Sequence, residues 1–136
     1  MQHAAERGAE HALVDERDPP GLPFGVLFGE QTLAADEASS WDAFWAAQRG
    51  PKLQLSLLRS EHATFTDFAP LVPQAALILG EPPSWVTKLI GTISGPRAVT
   101  VERTYIRAWF GTYLGHHGSR LLAGPSPRFP EVEFVR

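Results

Sequence analysis

Three features of this sequence predict an α/β fold built on parallel strands. Two short apolar segments, FGVLFG at 24–29 and KLQLSLLRS at 52–60, have the length and composition of strands. The 22 residues between them, 30–51, contain a helix-patterned stretch and are long enough for a parallel crossover, whose hand is expected to be right. A long amphipathic run at 95–115 then supplies a helix to cover the sheet.

Residues 1–21 are rich in charge, alanine and histidine and end in DPPG, which reads as a poorly ordered lead-in closed by a turn. The structured domain is therefore expected to occupy 22–136. FGVLFG, set between Pro23 and a polar EQT, has the unbroken apolar character of a buried strand, weakened by its two glycines. In SSWDAFWAAQRG, Ser39 with Asp42 three residues on resembles a capping box, and Trp41, Phe44, Trp45 and Gln48 follow at helical spacing before Gly50 and Pro51 stop the run. That predicts a helix of about nine residues.

The second strand alternates, with Leu53, Leu55 and Leu57 on one face and Leu58 thickening the other. In the run GPRAVTVERTYIRAWFGTYLG, Val99, Ile106, Phe110, Tyr113 and Leu114 form a stripe opposite Glu102, Arg103 and Arg107, and that stripe is expected to face the core. The tail LLAGPSPRFPEVEFVR should be an ordered loop or a short closing strand. A parallel pair needs neighbours on both sides, so the sheet reads as incomplete, and an unpaired edge offers a route to homo-oligomers.

Composition closes several function classes. With 136 residues, 43% of them hydrophobic, the chain can bury a core. A net charge of −3 and only two lysines, Lys52 and Lys88, give no electrostatic footprint for nucleic acid. The absence of cysteine removes disulfides, thiolate metal sites and thiol nucleophiles. No apolar run reaches the length of a membrane span, and the N-terminal residues lack the hydrophobic segment of a signal peptide. As written, the chain reads as soluble and untargeted, although a longer N-terminus could carry a signal. Neither a Walker loop nor G-x-G-x-x-G is present, so nucleotide binding has no support, and the reading calls for no cofactor. His116 and His117 lack any carboxylate pattern that would make them metal ligands, and they suit a helix C-terminus. Trp41, Trp45 and Trp109 read as core residues, and Trp85, beside Pro82 and Pro83, as either core or the wall of a cleft.

The remaining chemistry gathers at His62. In open parallel sheets, ligands bind beyond the carboxyl ends of the strands, and His62 follows Leu58 by four residues. An imidazole there suits a general base, while a locally bonded surface histidine is the plainer alternative. Phe65 and Phe68 are expected to fix the loop that carries it.

The segment EHATFTDF resembles the H-x-x-F-x-D-F/L signature around the catalytic histidine of the platelet-activating-factor acetylhydrolase-like branch of the α/β-hydrolases, together with related bacterial lipases and esterases. PFGVLFGEQ, WDAFWAAQRGPKLQLSL, LVPQ, RTYIRAWFGTYL and LLAGPSPRFPEVEF are similar to the surrounding C-terminal segments of those enzymes, so the resemblance runs from about Leu22 to about Phe134. It implies the C-terminal part of an α/β-hydrolase fold, here a partial domain. It also implies an ester or lipid-like small-molecule substrate, with His62 as the triad histidine. Phe65, Asp67 and Phe68 would structure its loop, Asp67 by capping the next helix. The triad acid would be Asp15 of LVDERD, with Asp18 as runner-up.

The nucleophile is missing. A G-x-S-x-G elbow needs serine between two glycines four apart. The pairs with that spacing, Gly21/Gly25, Gly25/Gly29, Gly91/Gly95 and Gly111/Gly115, centre on Pro23, Leu27, Ile93 and Tyr113. Ser94 is one position off and follows His62, whereas the hydrolase order places the serine first. The reading is thus a carboxylic-ester hydrolase relative that keeps the triad histidine without the elbow. The alternative is an inactive remnant or an oligomeric interaction domain.

Overall fold

The computed structural model describes residues 24–29 and 35–136. The expected lead-in, and with it Asp15 and Asp18, lies outside them. Strand β1 (Phe24–Gly29) runs parallel to β2 (Lys52–Leu57), with Phe24 beside Lys52 and Gly29 beside Leu57. Between them comes helix α1 (Ala35–Ala47). The βαβ unit expected from the connection length is therefore present. Helix α1 has 13 residues and begins four positions before Ser39, because the ADEA run ahead of it is alanine-rich and its acidic residues suit a helix N-terminus.

A three-residue strand β3 (Val132–Phe134) closes the other side of β2 in the antiparallel sense, giving the order β1-β2-β3. β2 is the middle strand and is covered on both faces. Leu55 and Leu57 are buried in the main core, and Gln54, also buried, accepts hydrogen bonds from Trp41 Nε1 at 3.4 Å and Arg136 Nε at 2.6 Å.

The chain between β2 and β3 forms helices α2 (Val72–Leu79), α3 (Pro83–Ile90) and α4 (Gly95–Tyr113). α2 ends on Gly80, whose positive φ of 71° suits glycine, and the next two residues but one are prolines that keep the helix from resuming. α4 starts on Ser94, whose Oγ accepts from the Arg97 N–H, with Pro96 in the first turn.

The expected core stripe of α4 is not the buried one. Ala98, Val101 and Tyr105 are buried, whereas Ile106, Phe110 and Leu114 are exposed. Close approach decides the face. A Cβ at Gly95 would lie 2.5 Å from the Ala69 carbonyl oxygen, so glycine there lets the helix start in contact with residues 69–70, and small Ala98 continues the contact. Glu102, assigned to the polar side, is consequently half-buried.

Two hydrophobic clusters result. The larger joins Leu55, Leu57, Ile93, Ala98, Val101, Tyr105, Phe129 and Val132, and the smaller joins Ala69, Val72 and Ile90. Phe129 is fully buried, meets Tyr105 edge-on at 5.6 Å, and lies under the guanidinium groups of Arg97 and Arg128 at 5.0 and 5.2 Å. Buried Glu131 pairs with Arg97. Burial alone would raise the Glu131 carboxyl, but the Arg97 hydrogen bond and charge hold it below the usual carboxylate range. Trp85 packs on the smaller cluster, while Trp41, Trp45 and Trp109 are half-buried.

Candidate active site

β1 and β2 end on the same side of the sheet, and the chain leaving β2 turns at once. Arg59 adopts a left-handed φ of 62°, and the carbonyl of Arg59 accepts the N–H groups of Thr92 at 2.9 Å and Ile93 at 3.0 Å. Gly91 has a φ of 73°, and a Cβ on it would lie 2.2 Å from Arg59 O, so the α3–α4 connection can grip this turn only with glycine in that position. Buried Ser60 donates to Leu57 O at 2.6 Å.

His62 opens the following 3-10 turn, His62–Phe65. Thr64 holds that turn. It is fully buried, its Oγ1 accepts the Glu61 N–H at 2.9 Å and donates to the Ile90 carbonyl at 2.8 Å, and its own N–H donates to Glu61 O at 3.0 Å. Ala63 packs on the smaller hydrophobic cluster and Phe65 on the larger. The short turn is thus wedged between the two cores by its second and fourth residues, and His62 is exposed at its leading end. Among the described residues no hydrogen bond or ion pair ties down the imidazole.

The expected roles of the neighbouring residues divide. Phe65 packs as anticipated. Phe68 is 70% exposed and anchors nothing through its ring, while its carbonyl accepts Leu71 N–H at 2.8 Å and Val72 N–H at 3.1 Å. Asp67 does not cap α2, because that helix starts from Leu71 with no side-chain cap. Asp67 stands four positions before Leu71, and the chain enters α2 through backbone bonds to the Phe68 carbonyl instead. The sequence reading passed over Ser60, Thr64 and Ile90, the groups that hold the turn. The Glu61-x-x-Thr64 spacing was the available signal for Thr64, and the Ile90 carbonyl, a backbone group 26 positions away, had none.

No metal cluster of three or more His, Asp or Glu side chains occurs among the described residues. His116 takes a left-handed φ of 53° just past the end of α4, and the N–H of His117 closes that end on Gly111 O at 2.9 Å. Among the described residues no helix is long and apolar enough to cross a membrane.

A ferulic acid esterase from Streptomyces cinnamoneus, solved at 2.4 Å, superposes on 86% of this chain with a TM-score of 0.72 and 32% identity. The chain is similar to part of an α/β-hydrolase-type esterase. A curated relative from Arthroderma benhamiae, named as a probable 1-alkyl-2-acetylglycerophosphocholine esterase, is 26% identical over 117 residues, or 81% of the chain. The chain spans about a third of these relatives, 35% of the Streptomyces protein and 30% of the Arthroderma protein. No family model matches it. Both relatives are esterases by name, so the relationship to carboxylic-ester hydrolases stands on two separate comparisons.

Proposed function

We propose that this chain is the histidine-bearing portion of a carboxylic-ester hydrolase of the α/β-hydrolase fold, corresponding to its C-terminal part. The observation that carries the reading is the placement of His62. It stands exposed beyond the carboxyl end of a strand in a parallel pair, where α/β folds gather their ligands, on a turn fixed from both sides. In the reaction, an imidazole in that position takes the proton from an attacking serine hydroxyl, then returns it to the departing alcohol as the tetrahedral intermediate collapses. Asp15 is the acid that would orient the ring, with Asp18 in reserve. In this reading the nucleophile and oxyanion hole are supplied by other residues than these, since no glycine pair here encloses a serine. The substrate class is an ester or lipid-like small molecule.

Two measurements test this. In the chain alone, a fluorophosphonate probe read by mass spectrometry should label no serine, and a short-chain p-nitrophenyl ester should show no His62-dependent turnover. One stoichiometrically labelled serine would overturn the assignment of the nucleophile. In a chimera where this chain replaces the aligned segment of the Streptomyces esterase, hydrolysis should fall by at least about a thousandfold on His62→Ala. His62→Ala should leave thermal stability unchanged, since the ring is exposed. A folded, active chimera indifferent to His62 would refute its role as base.

A further inference from the structure

One short stretch of chain, residues 90–93 between α3 and α4, holds the His62 turn on both sides. Before the histidine, the Arg59 carbonyl accepts the N–H groups of Thr92 at 2.9 Å and Ile93 at 3.0 Å. After it, the Thr64 hydroxyl donates to the Ile90 carbonyl at 2.8 Å. These bonds bracket His62. Ile90 is buried in the smaller hydrophobic cluster and Ile93 in the larger, so the stretch that does the holding is itself anchored in both cores.

Gly91 makes the arrangement possible. Its N–H closes α3 on the Thr87 carbonyl at 2.9 Å, and its φ of 73° with ψ of −157° turns the chain so that the next two N–H groups meet Arg59 O. That pair of angles is essentially restricted to glycine. A Cβ at Gly91 would also lie 2.2 Å from Arg59 O, 2.9 Å from the Arg59 carbonyl carbon and 3.0 Å from Ser60 Cα, all of them backbone atoms that cannot swing aside. Arg59 has a left-handed φ of 62°, a sparsely populated conformation that persists where surrounding structure over-determines it, and two donors on its carbonyl do so here. Gly80 supplies the contrast. It ends α2 with a φ of 71° and ψ of 23°, and a Cβ there would meet nothing within 4 Å. A side chain at Gly80 therefore costs only the left-handed conformation, whereas one at Gly91 must displace the chain three residues before His62.

We propose that Gly91 is a positioning residue for the His62 imidazole, acting through the Arg59 carbonyl to set where the base stands. The inference rests on the reading of His62 as the general base. A base works only within hydrogen-bond reach of the proton it takes, and a misplacement of about 1 Å can cost about a hundredfold in rate. A displaced turn thus slows proton transfer while leaving substrate binding in place.

The test uses the chimera with the Streptomyces esterase. Gly91→Ala should lower kcat by about tenfold to a hundredfold with KM within about twofold, and Gly80→Ala should leave both within about twofold. Thr64→Val, which cuts the hold on the far side, should lower kcat by about threefold to tenfold, and Thr64→Ser, which keeps the hydroxyl, should recover most of it. With His62→Ala still abolishing turnover, a folded Gly91→Ala chimera of unchanged kcat, or one in which only KM moves, would overturn the positioning role. So would a Gly80→Ala loss as large as that of Gly91→Ala. Indifference to His62→Ala would instead remove the base itself, and the positioning role with it. Should Gly91→Ala fail to fold, the Thr64 pair decides, and equal kcat in its two variants overturns the proposal.

Discussion

The two hydrophobic clusters of this chain are built on different terms. The larger draws on β2, α4 and the C-terminal segment, and its central ring, Phe129, is fully enclosed under two guanidinium groups. The smaller is three residues from the loop before α2, from α2 and from α3. Its helix α2 leaves Leu77 and Ile78 more than four-fifths exposed. The site histidine belongs to neither cluster. It stands on a turn that reaches into both, through Phe65 into the larger and through Ala63 and the Thr64–Ile90 bond into the smaller. An exposed side chain can therefore have a fixed backbone position without contacts of its own.

The sharpest way to break this contrast is Phe129→Ala, which empties the centre of the larger cluster and should cost about 3–5 kcal/mol in denaturant unfolding. A loss below about 1 kcal/mol would mean that the larger cluster is not what holds the chain together. Next comes Thr64→Val. It deprives the Ile90 carbonyl and the Glu61 N–H of their partner, at about 1–3 kcal/mol, and should speed amide exchange in 62–65 more than in α4. Equal effects in both places would show that the turn is not separately held.

The proton on Glu102 gives a smaller effect with a definite sign. Burial raises its folded-state value above the ordinary 4.5, so the associated stability is fully present below pH 4.5 and disappears as the pH rises through about 6. Allowing for the solvent that still reaches the group, the loss should be roughly 1 kcal/mol, read as the difference between wild-type and Glu102→Gln melting curves across that window. The smallest change is expected on the open side of α2, where Leu77→Gln should move stability by no more than about 0.5 kcal/mol. A larger loss would mean that α2 is covered in solution.

Much of this arrangement was legible along the chain. The β1–α1–β2 unit followed from two apolar segments and the length between them, since strand period and crossover length are properties of local sequence. The position of His62 just beyond the strand end followed as well. What could not be read was which face of α4 would be buried, because Ala98, Val101 and Tyr105 are spaced as helically as Val99, Ile106 and Phe110. Periodicity identifies a helix that is apolar on two sides without choosing between them.

By itself, then, the sequence determined the β1–α1–β2 unit, the long helix after it, the absence of thiol chemistry, the absence of a G-x-S-x-G pattern, and the one histidine set past a strand end. The tertiary structure decided the rest. It selected the small-residue face of α4 through the close approach at Gly95, left Phe68 in solvent, and pinned the His62 turn to a carbonyl 26 residues away. It also enclosed one carboxyl oxygen of Glu102. These outcomes depend on which surfaces meet in space, and such contacts join residues too far apart in the chain for any local pattern to record them.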